Sequence, residues 1–187
     1  MIAMSTNSKA LSFKAVILRP LDTKTKSLWG FIKLPKKVSD LLSRRGRTTV
    51  HATVSRHAFQ ITLERDGKLS HWFCIDSQIL RAASVEIGDK VDVNITPLPV
   101  EPTPKPPADF AKALAKNPGA KSVWDSATAI AQLDWIHWIE SGKQAKTRDD
   151  RIDKACDMLE SGKKRVCCFD PSGFYSKSLS APKAASS

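Results

Sequence analysis

PLPVEPTPKPPA, residues 97–108, holds six prolines in twelve positions and decides how the chain is organised. Proline fixes φ and lacks a backbone donor, so this run neither joins a sheet nor continues a helix, and it reads as an extended, semi-rigid spacer. Before it the apolar residues recur with the period of strands, and after it with the period of helices. The pattern predicts an α+β chain of two small domains. Its expected parts are a disordered N-terminus (1–10), a β-barrel domain (11–97), a proline-rich linker (98–107), a helical domain (108–162) and a mostly disordered basic tail (163–187).

The chain has 187 residues, 41% of them hydrophobic, enough to fill two small cores. Its net charge of +11 is unevenly placed: residues 1–96 carry 16 Lys+Arg against 8 Asp+Glu, residues 108–162 carry 8 against 9, and residues 163–187 carry 5 against 1. A surplus confined to the barrel and the tail implies attraction to polyanions, whether nucleic acid, anionic lipid or an acidic protein. The four cysteines, Cys74, Cys156, Cys167 and Cys168, lack both CxxC spacing and the density of a disulfide-stapled domain, so reduced thiols are expected. Cys167 and Cys168 are adjacent, which makes a bridge between them strained. No stretch reaches the roughly 18 apolar residues of a membrane span, and residues 1–20 lack the apolar core and cleavage site of a secretory signal. A cytoplasmic protein without a transmembrane segment is expected.

VDVNI, residues 91–95, alternates strictly, the signature of a strand with one buried face. Val50, Ala52 and Val54 alternate with Thr49, His51 and Thr53, while Phe59, Ile61 and Leu63 alternate with Gln60, Thr62 and Glu64. Arg65-Asp66-Gly67-Lys68 supplies a turn into a strand over 69–75, and 11–18 and 29–34 complete about six strands. Short helices are expected over 35–42, where Val38, Leu41 and Leu42 share a face behind Pro35, and over 77–83. Closure into a small, partly open barrel removes the edges that six short strands would otherwise expose.

FIKLPKKVSDLL, RTTVHATVSRHAFQITL and HWFCIDSQILRAASVEIGDKVDVNI resemble the DUF1905 domain over roughly residues 11–97. The most specific positions are Leu34-Pro35, His57 with Phe59, and Gly88-Asp89-Lys90-Val91-Asp92-Val93. The resemblance implies a small β-barrel. The same elements are similar, at the level of fold alone, to the swapped-hairpin barrels of AbrB-like DNA-binding proteins. Ser55-Arg56 stands where the DUF1905 pattern usually has Asn-Gly, so a longer or differently shaped connection is expected there.

In the second half, Phe110, Ala113 and Leu114 share a face behind Asp109 as N-cap, and Asn117-Pro118-Gly119 stops that helix. A second short helix holds Val123 and Trp124. Over 128–140, Ala131, Trp135, Ile136, Trp138 and Ile139 fall on one arc, with Asp134 and His137 opposite. A fourth helix starts at Thr147, with Asp150 three residues on, and aligns Ile152, Ala155, Cys156 and Leu159. A small all-α bundle follows. PPADFAKALAKNPGAKSVWD, QLDWIHWIESGK and AKTRDDRIDKACDMLESGK resemble the bacteriocin-protection YdeI/OmpD-associated family, whose members often carry this domain after a DUF1905 barrel. The resemblance sits at Trp138-Ile139, Lys143, Thr147-Arg148, Arg151-Ile152, Met158-Leu159 and Gly162. Gly142 departs from the family's small helix-favouring residue and predicts an early end to the third helix. The resemblance implies a protective or outer-membrane-associated phenotype and no defined reaction.

Lys33, Lys36 and Lys37 precede and open the first short helix and Arg44, Arg45 and Arg47 follow it, so six cations meet at one corner. Such a cluster fits salt-sensitive nucleic-acid binding, and it equally fits a solvated basic face. Arg148, Arg151, Lys143 and Trp138 are candidates for binding an anion or ligand. The arginines suit bidentate recognition of a carboxylate or phosphate, or structural pairing with an acid of a neighbouring helix. Trp135 and Trp138 fit an interaction surface or a core. His71 and Cys74 fall on opposite faces of a straight strand and so do not share an ion, and His57 reads as a packing residue. No HExxH, nucleophile elbow or phosphate loop occurs, so no catalytic residue, metal or cofactor is expected.

The leading expectation is a non-enzymatic cytoplasmic bacterial binding protein of the bacteriocin-protection/OmpD-associated type, its partner a protein, peptide or polyanion. Two alternatives stand beside it. One is a nucleic-acid-binding or regulatory module using the basic corner; the other is an unrecognised enzyme with a site in the interdomain groove around Arg148.

Overall fold

A computed structural model describes residues 9–21, 28–167, 169–171 and 179–186. Residues 1–8 of the expected disordered N-terminus, and Cys168, Phe174 and Tyr175 of the tail, lie outside the described residues. The chain forms two compact units, Met1–Val100 with Ser172–Ser187, and Glu101–Pro171.

The first unit contains strands β1 (Leu11–Val16), β2 (Trp29–Lys33), β3 (Thr48–Val54), β4 (His57–Arg65), β5 (His71–Asp76) and β6 (Lys90–Pro97), with helices α1 (Lys36–Ser39) and α2 (Ser77–Ala82). They form one antiparallel sheet in the order β1-β6-β3-β4-β5-β2. β4 is shared between its halves: residues 57–63 pair with β3, and Glu64 and Arg65 pair with Trp72 and His71 of β5. The sheet curls until its two edge strands approach, and Leu18, just beyond β1, bridges to Phe31 of β2. Each of those residues donates its N–H to the other's carbonyl, at 2.8 and 3.0 Å. Gly30 permits the approach, because a Cβ there would collide with Ile17 Cγ2. The alternating residues point inward as expected: Val50, Ala52 and Val54 of β3 meet Val91, Val93 and Ile95 of β6 and Phe73 and Ile75 of β5, while Leu34, Val38, Leu42 and Leu80 add to the same core. Each such side chain contributes about 1.5–3 kcal/mol on burial, offset by the entropy of ordering the chain.

Three expectations for this unit need correction. The first helix is a single turn, Lys36–Ser39, and residues beyond it form turns rather than continuing to 42. Ser55-Arg56 is not a longer connection: Val54 pairs directly with His57, and the two turn residues take φ of 43° and 77°, a type I′ geometry whose twist matches the strands but which favours Asn-Gly. Arg65 is no turn residue, since its pairing with His71 makes it the last residue of β4.

The tail also departs from expectation. Residues 179–186 lie along the first unit as a strap: Pro20 bridges to Ala184, Leu21 N–H donates to Lys183 O at 2.7 Å, Ala185 N–H to Arg19 O at 2.8 Å, and Ala181 N–H to Asp66 O at 3.3 Å. Gly67, at φ 71°, lies under this strap, and a Cβ there would occupy the place of the Leu179 carbonyl.

The second unit contains α3 (Ala108–Lys116), α4 (Pro118–Ser126), α5 (Ala129–Glu140) and α6 (Ala145–Glu160). Phe110, Leu114, Trp124, Trp135, Ile139, Ile152, Ala155 and Leu159 form its core, as the helical periodicity requires. Asn117 both ends α3 and caps α4, its side-chain oxygen accepting from Ala120 N–H at 3.0 Å. The cap of α3 is Pro107 rather than Asp109, and α6 begins at Ala145, two residues before Thr147, with no side-chain cap bond. His137, expected on the outer face of α5, is buried, because the chain after α6 folds back over it. Phe169 meets the His137 ring edge-on at 5.2 Å, and Trp135 Nε1 donates to Lys164 O at 3.2 Å. The tail is therefore ordered over its described residues 163–167, 169–171 and 179–186.

Candidate anion pocket at the basic corner of the barrel

Between α1, the loop that follows it and the end of β4 lies a pocket of about 390 Å³, lined mainly by polar groups. Lys36 of α1, Arg44 and Arg45 of the loop, and Arg65 of β4 supply four cations; Asp40 supplies one carboxylate, and Leu42 and Leu69 supply apolar wall. Lys36 Nζ holds both Asp40 oxygens, at 2.7 and 2.8 Å, so that carboxylate is neutralised locally. Arg65 is only 4% exposed and lies deepest. A guanidinium keeps its proton wherever it sits, and one removed from bulk water is weakly screened, so its pull on an anion exceeds that of an exposed lysine.

The pocket is assembled on one imidazole. His71, fully buried on β5, touches every segment that carries the pocket. Gly46 O, an acceptor only, lies 3.0 Å from His71 Nε2, so Nε2 carries the proton and Nδ1 accepts the Ser39 hydroxyl at 2.6 Å. Arg65 Nη1 stands 3.1 Å from Nε2 and 3.2 Å from Nδ1. That near-equal spacing sets the guanidinium over the ring face, since an in-plane position would overlap Cε1. Burial, with the Arg65 charge adding to it and Gly46 and Asp66 opposing, brings the His71 pKa down from 6.5 to about 4. The ring is neutral at pH 7. Leu42 in the core and Gly46 on His71 anchor both ends of Ser43-Arg44-Arg45, which presents the loop arginines to the pocket.

Of the six cations expected at this corner, Lys36, Arg44 and Arg45 line the pocket. Arg47 pairs instead with Glu64 at 2.8 Å, Lys33 stands over the Phe31 ring at 5.7 Å, and Lys37 is exposed on α1. Arg65 and His71 were not among the expected site residues. Their signal was parity: Arg65 continues the inward series Phe59, Ile61, Leu63, and His71 opens the inward series His71, Phe73, Ile75.

The candidates of the second unit are taken up by its own architecture. Arg148 grips Asp109 bidentately, Nε to Oδ2 at 2.6 Å and Nη2 to Oδ1 at 3.0 Å, which ties α6 to α3 and holds the Asp109 carboxyl below the usual carboxylate range. Arg151 Nη1 donates to Trp138 O and to Ser141 Oγ, and its guanidinium lies 5.4 Å from the Trp138 ring centre, closing the end of α5. Trp135 is buried, Trp138 half-buried, and Lys143 exposed. His57 stacks on Phe59, and His71 and Cys74 occupy opposite faces of β5. Among the described residues no group of three His, Cys, Asp or Glu is placed to hold a metal, and no described helix is long and apolar enough to cross a membrane.

Barrel and bundle define a two-unit protein whose first unit offers a cationic concavity and whose second is bound internally by its arginines. The family model for DUF1905, a domain of unknown function, matches residues 13–95, and the model described as Bacteriocin-protection, YdeI or OmpD-Associated matches residues 103–162, in that order. The chain thus carries both domains, and the second supports a protein of the bacteriocin-protection type whose ligand is undefined. No curated protein matches the chain.

Proposed function

We propose that this is a non-catalytic bacterial binding protein of the bacteriocin-protection type, acting in the cytoplasm, and that its ligand is an anion taken by the barrel pocket. The observation that carries the reading is the convergence of Lys36, Arg44, Arg45 and the buried Arg65 on one concavity. Burial pushes the Cys74 and Cys156 thiols up, so both stay protonated near neutrality, which supports a structural role over a nucleophilic one. Free thiols at Cys74, Cys156 and Cys167 suit a reducing compartment. Arg148, on which a catalytic reading would have rested, already has Asp109 as its partner. A compact anion is favoured over extended nucleic acid because the deepest cation sits at the floor of a concavity, beyond the reach of a duplex backbone lying across its mouth.

Retention on phosphocellulose and on heparin at low salt tests the assignment, comparing the wild-type chain with a Lys36→Glu, Arg44→Glu, Arg45→Glu variant. The variant is expected to elute early from both. Unchanged retention would show that the protein's polyanion affinity lies elsewhere.

A further inference from the structure

We infer that a second cavity of the barrel unit, sharing no lining residue with the basic corner, takes a small apolar molecule bearing one carboxylate. This goes beyond the reading above and does not depend on it. The cavity, about 850 Å³, lies between α2, the turn that follows it, and residues just beyond β1 and just before β2. That is near the upper end of the roughly 300–1,000 Å³ range of small-molecule sites, room for a fused-ring or medium-chain body. Leu80, itself in the core, and Val85 and Ile87, packed against that core, give the body an apolar wall. Leu28 adds a further apolar surface and is 58% exposed, so the barrel's own packing leaves it uncovered. The frame is fixed by backbone bonds: Ile17 N–H donates to Asp89 O at 3.0 Å, Gly88 N–H to Ile17 O at 2.8 Å, and Ala185 N–H to Arg19 O at 2.8 Å.

The polar lining selects the head group. Ser77, Leu80, Arg81 and Ser84 follow helical spacing, so α2 and its end turn one face to the cavity, and Arg19 joins it from the segment after β1. Arg81 Nε donates to Ser77 O at 3.1 Å, an uncharged acceptor that leaves the guanidinium charge in place. Glu86 is the one acid among these lining residues, so two guanidinium groups and one carboxylate leave a single positive charge. A planar guanidinium suits a carboxylate, which brings the single negative charge that balances the site, whereas a dianion would also meet Glu86. Ser84 bears on the same choice. Val85 N–H donates to Leu80 O at 3.0 Å and Ser84 N–H to Arg81 O at 3.1 Å, a Schellman turn that holds Ser84 at φ 54°, where glycine is favoured. Serine there strains the backbone and puts a hydroxyl on the cavity wall as a further donor.

Calorimetric titration of the full chain with 2-naphthoate, 2-naphthylmethanol, acetate and 2-naphthyl phosphate tests the inference, with amide resonances reporting where the probe sits. Naphthoate is expected to bind about tenfold more tightly than each of the other three and to shift the amides of residues 77–87. The Arg19→Gln, Arg81→Gln variant, both positions being exposed, should keep the wild-type circular dichroism spectrum and lose about tenfold in naphthoate affinity. Ser84→Gly should raise the urea midpoint by relieving the backbone, yet weaken naphthoate about threefold. Naphthylmethanol binding as tightly as naphthoate would overturn the carboxylate, and naphthyl phosphate binding as tightly would overturn the choice of a single charge. Shifts confined to residues 36–45 would move the probe to the basic corner and overturn the second site. Binding of none of the probes would overturn it as well, leaving the reading of the basic corner where it stands.

Discussion

Acid should weaken the barrel through His71, and the effect is large enough to measure. In the unfolded chain this imidazole takes up a proton near pH 6.5; in the folded protein it does so only near pH 4, chiefly because it is buried, with the Arg65 guanidinium adding to the effect and the Gly46 carbonyl and Asp66 opposing it. Between those values the unfolded state binds more protons, so stability falls as the pH falls. The contribution is intact above pH 6.5, is lost progressively below it, and is exhausted once the pH passes below about 4. The full loss is about 3 kcal/mol, and about 2 kcal/mol of it appears by pH 5. Urea unfolding from pH 8 to 4.5, on wild type and on His71→Gln, isolates the contribution, because the carboxylates common to both cancel in the difference. The wild type should fall more steeply by about 2 kcal/mol between pH 7.5 and 5. The imidazole resonances of His71 supply an independent readout that needs no variant. Parallel pH profiles for the two proteins, or a His71 ring titrating near 6.5, would refute the neutral-imidazole account of how the pocket is built.

The remaining expectations concern backbone and ion pairs. Replacing Ser55-Arg56 by Asn-Gly should stabilise the barrel by about 1 kcal/mol in chemical denaturation, since both positions hold positive φ; no gain would mean that the present side chains offset the strain. Gly67→Ala should displace the strap over 179–186, seen as faster proteolytic trimming of the C-terminus together with a loss of about 1–2 kcal/mol. Trimming at the wild-type rate would show that the contact is dispensable. Arg148→Ala should destabilise the helical unit by about 1 kcal/mol in chemical denaturation; an unchanged midpoint would show that the pair with Asp109 does not tie α6 to α3.

Periodicity made most of the architecture readable. The alternation of Val91, Val93 and Ile95 and of Val50, Ala52 and Val54 carried the sheet, and the arc of Trp135, Ile136 and Ile139 carried the longest apolar helix. What failed were features decided by distant contacts. His137 looks solvent-facing on its own helix, and only the return of Phe169 covers it. The tail looks too polar to order, yet its backbone bonds to residues 19–21 and to Asp66 need no apolar side chain. The site was half readable. Lys36, Arg44 and Arg45 follow from charge clustering, whereas Arg65 reads as the first residue of a turn although the parity of its own strand points it inward. His71 beside Cys74 suggests a metal or catalytic reading in the sequence, and its value as a scaffold depends on Ser39, Gly46 and Arg65 arriving from three other segments.

The strap has a bearing on synthesis. Because residues 179–186 complete a unit begun near residue 11, with helices α3 to α6 of the other unit encoded in between, the barrel cannot acquire these backbone partners until residues 179–186 have left the ribosome. The helical segment, by contrast, can finish folding earlier, making it in genetic terms an insertion within the barrel's reading frame. A cut placed in the proline run would leave one fragment missing its final edge and the other carrying a loose ribbon.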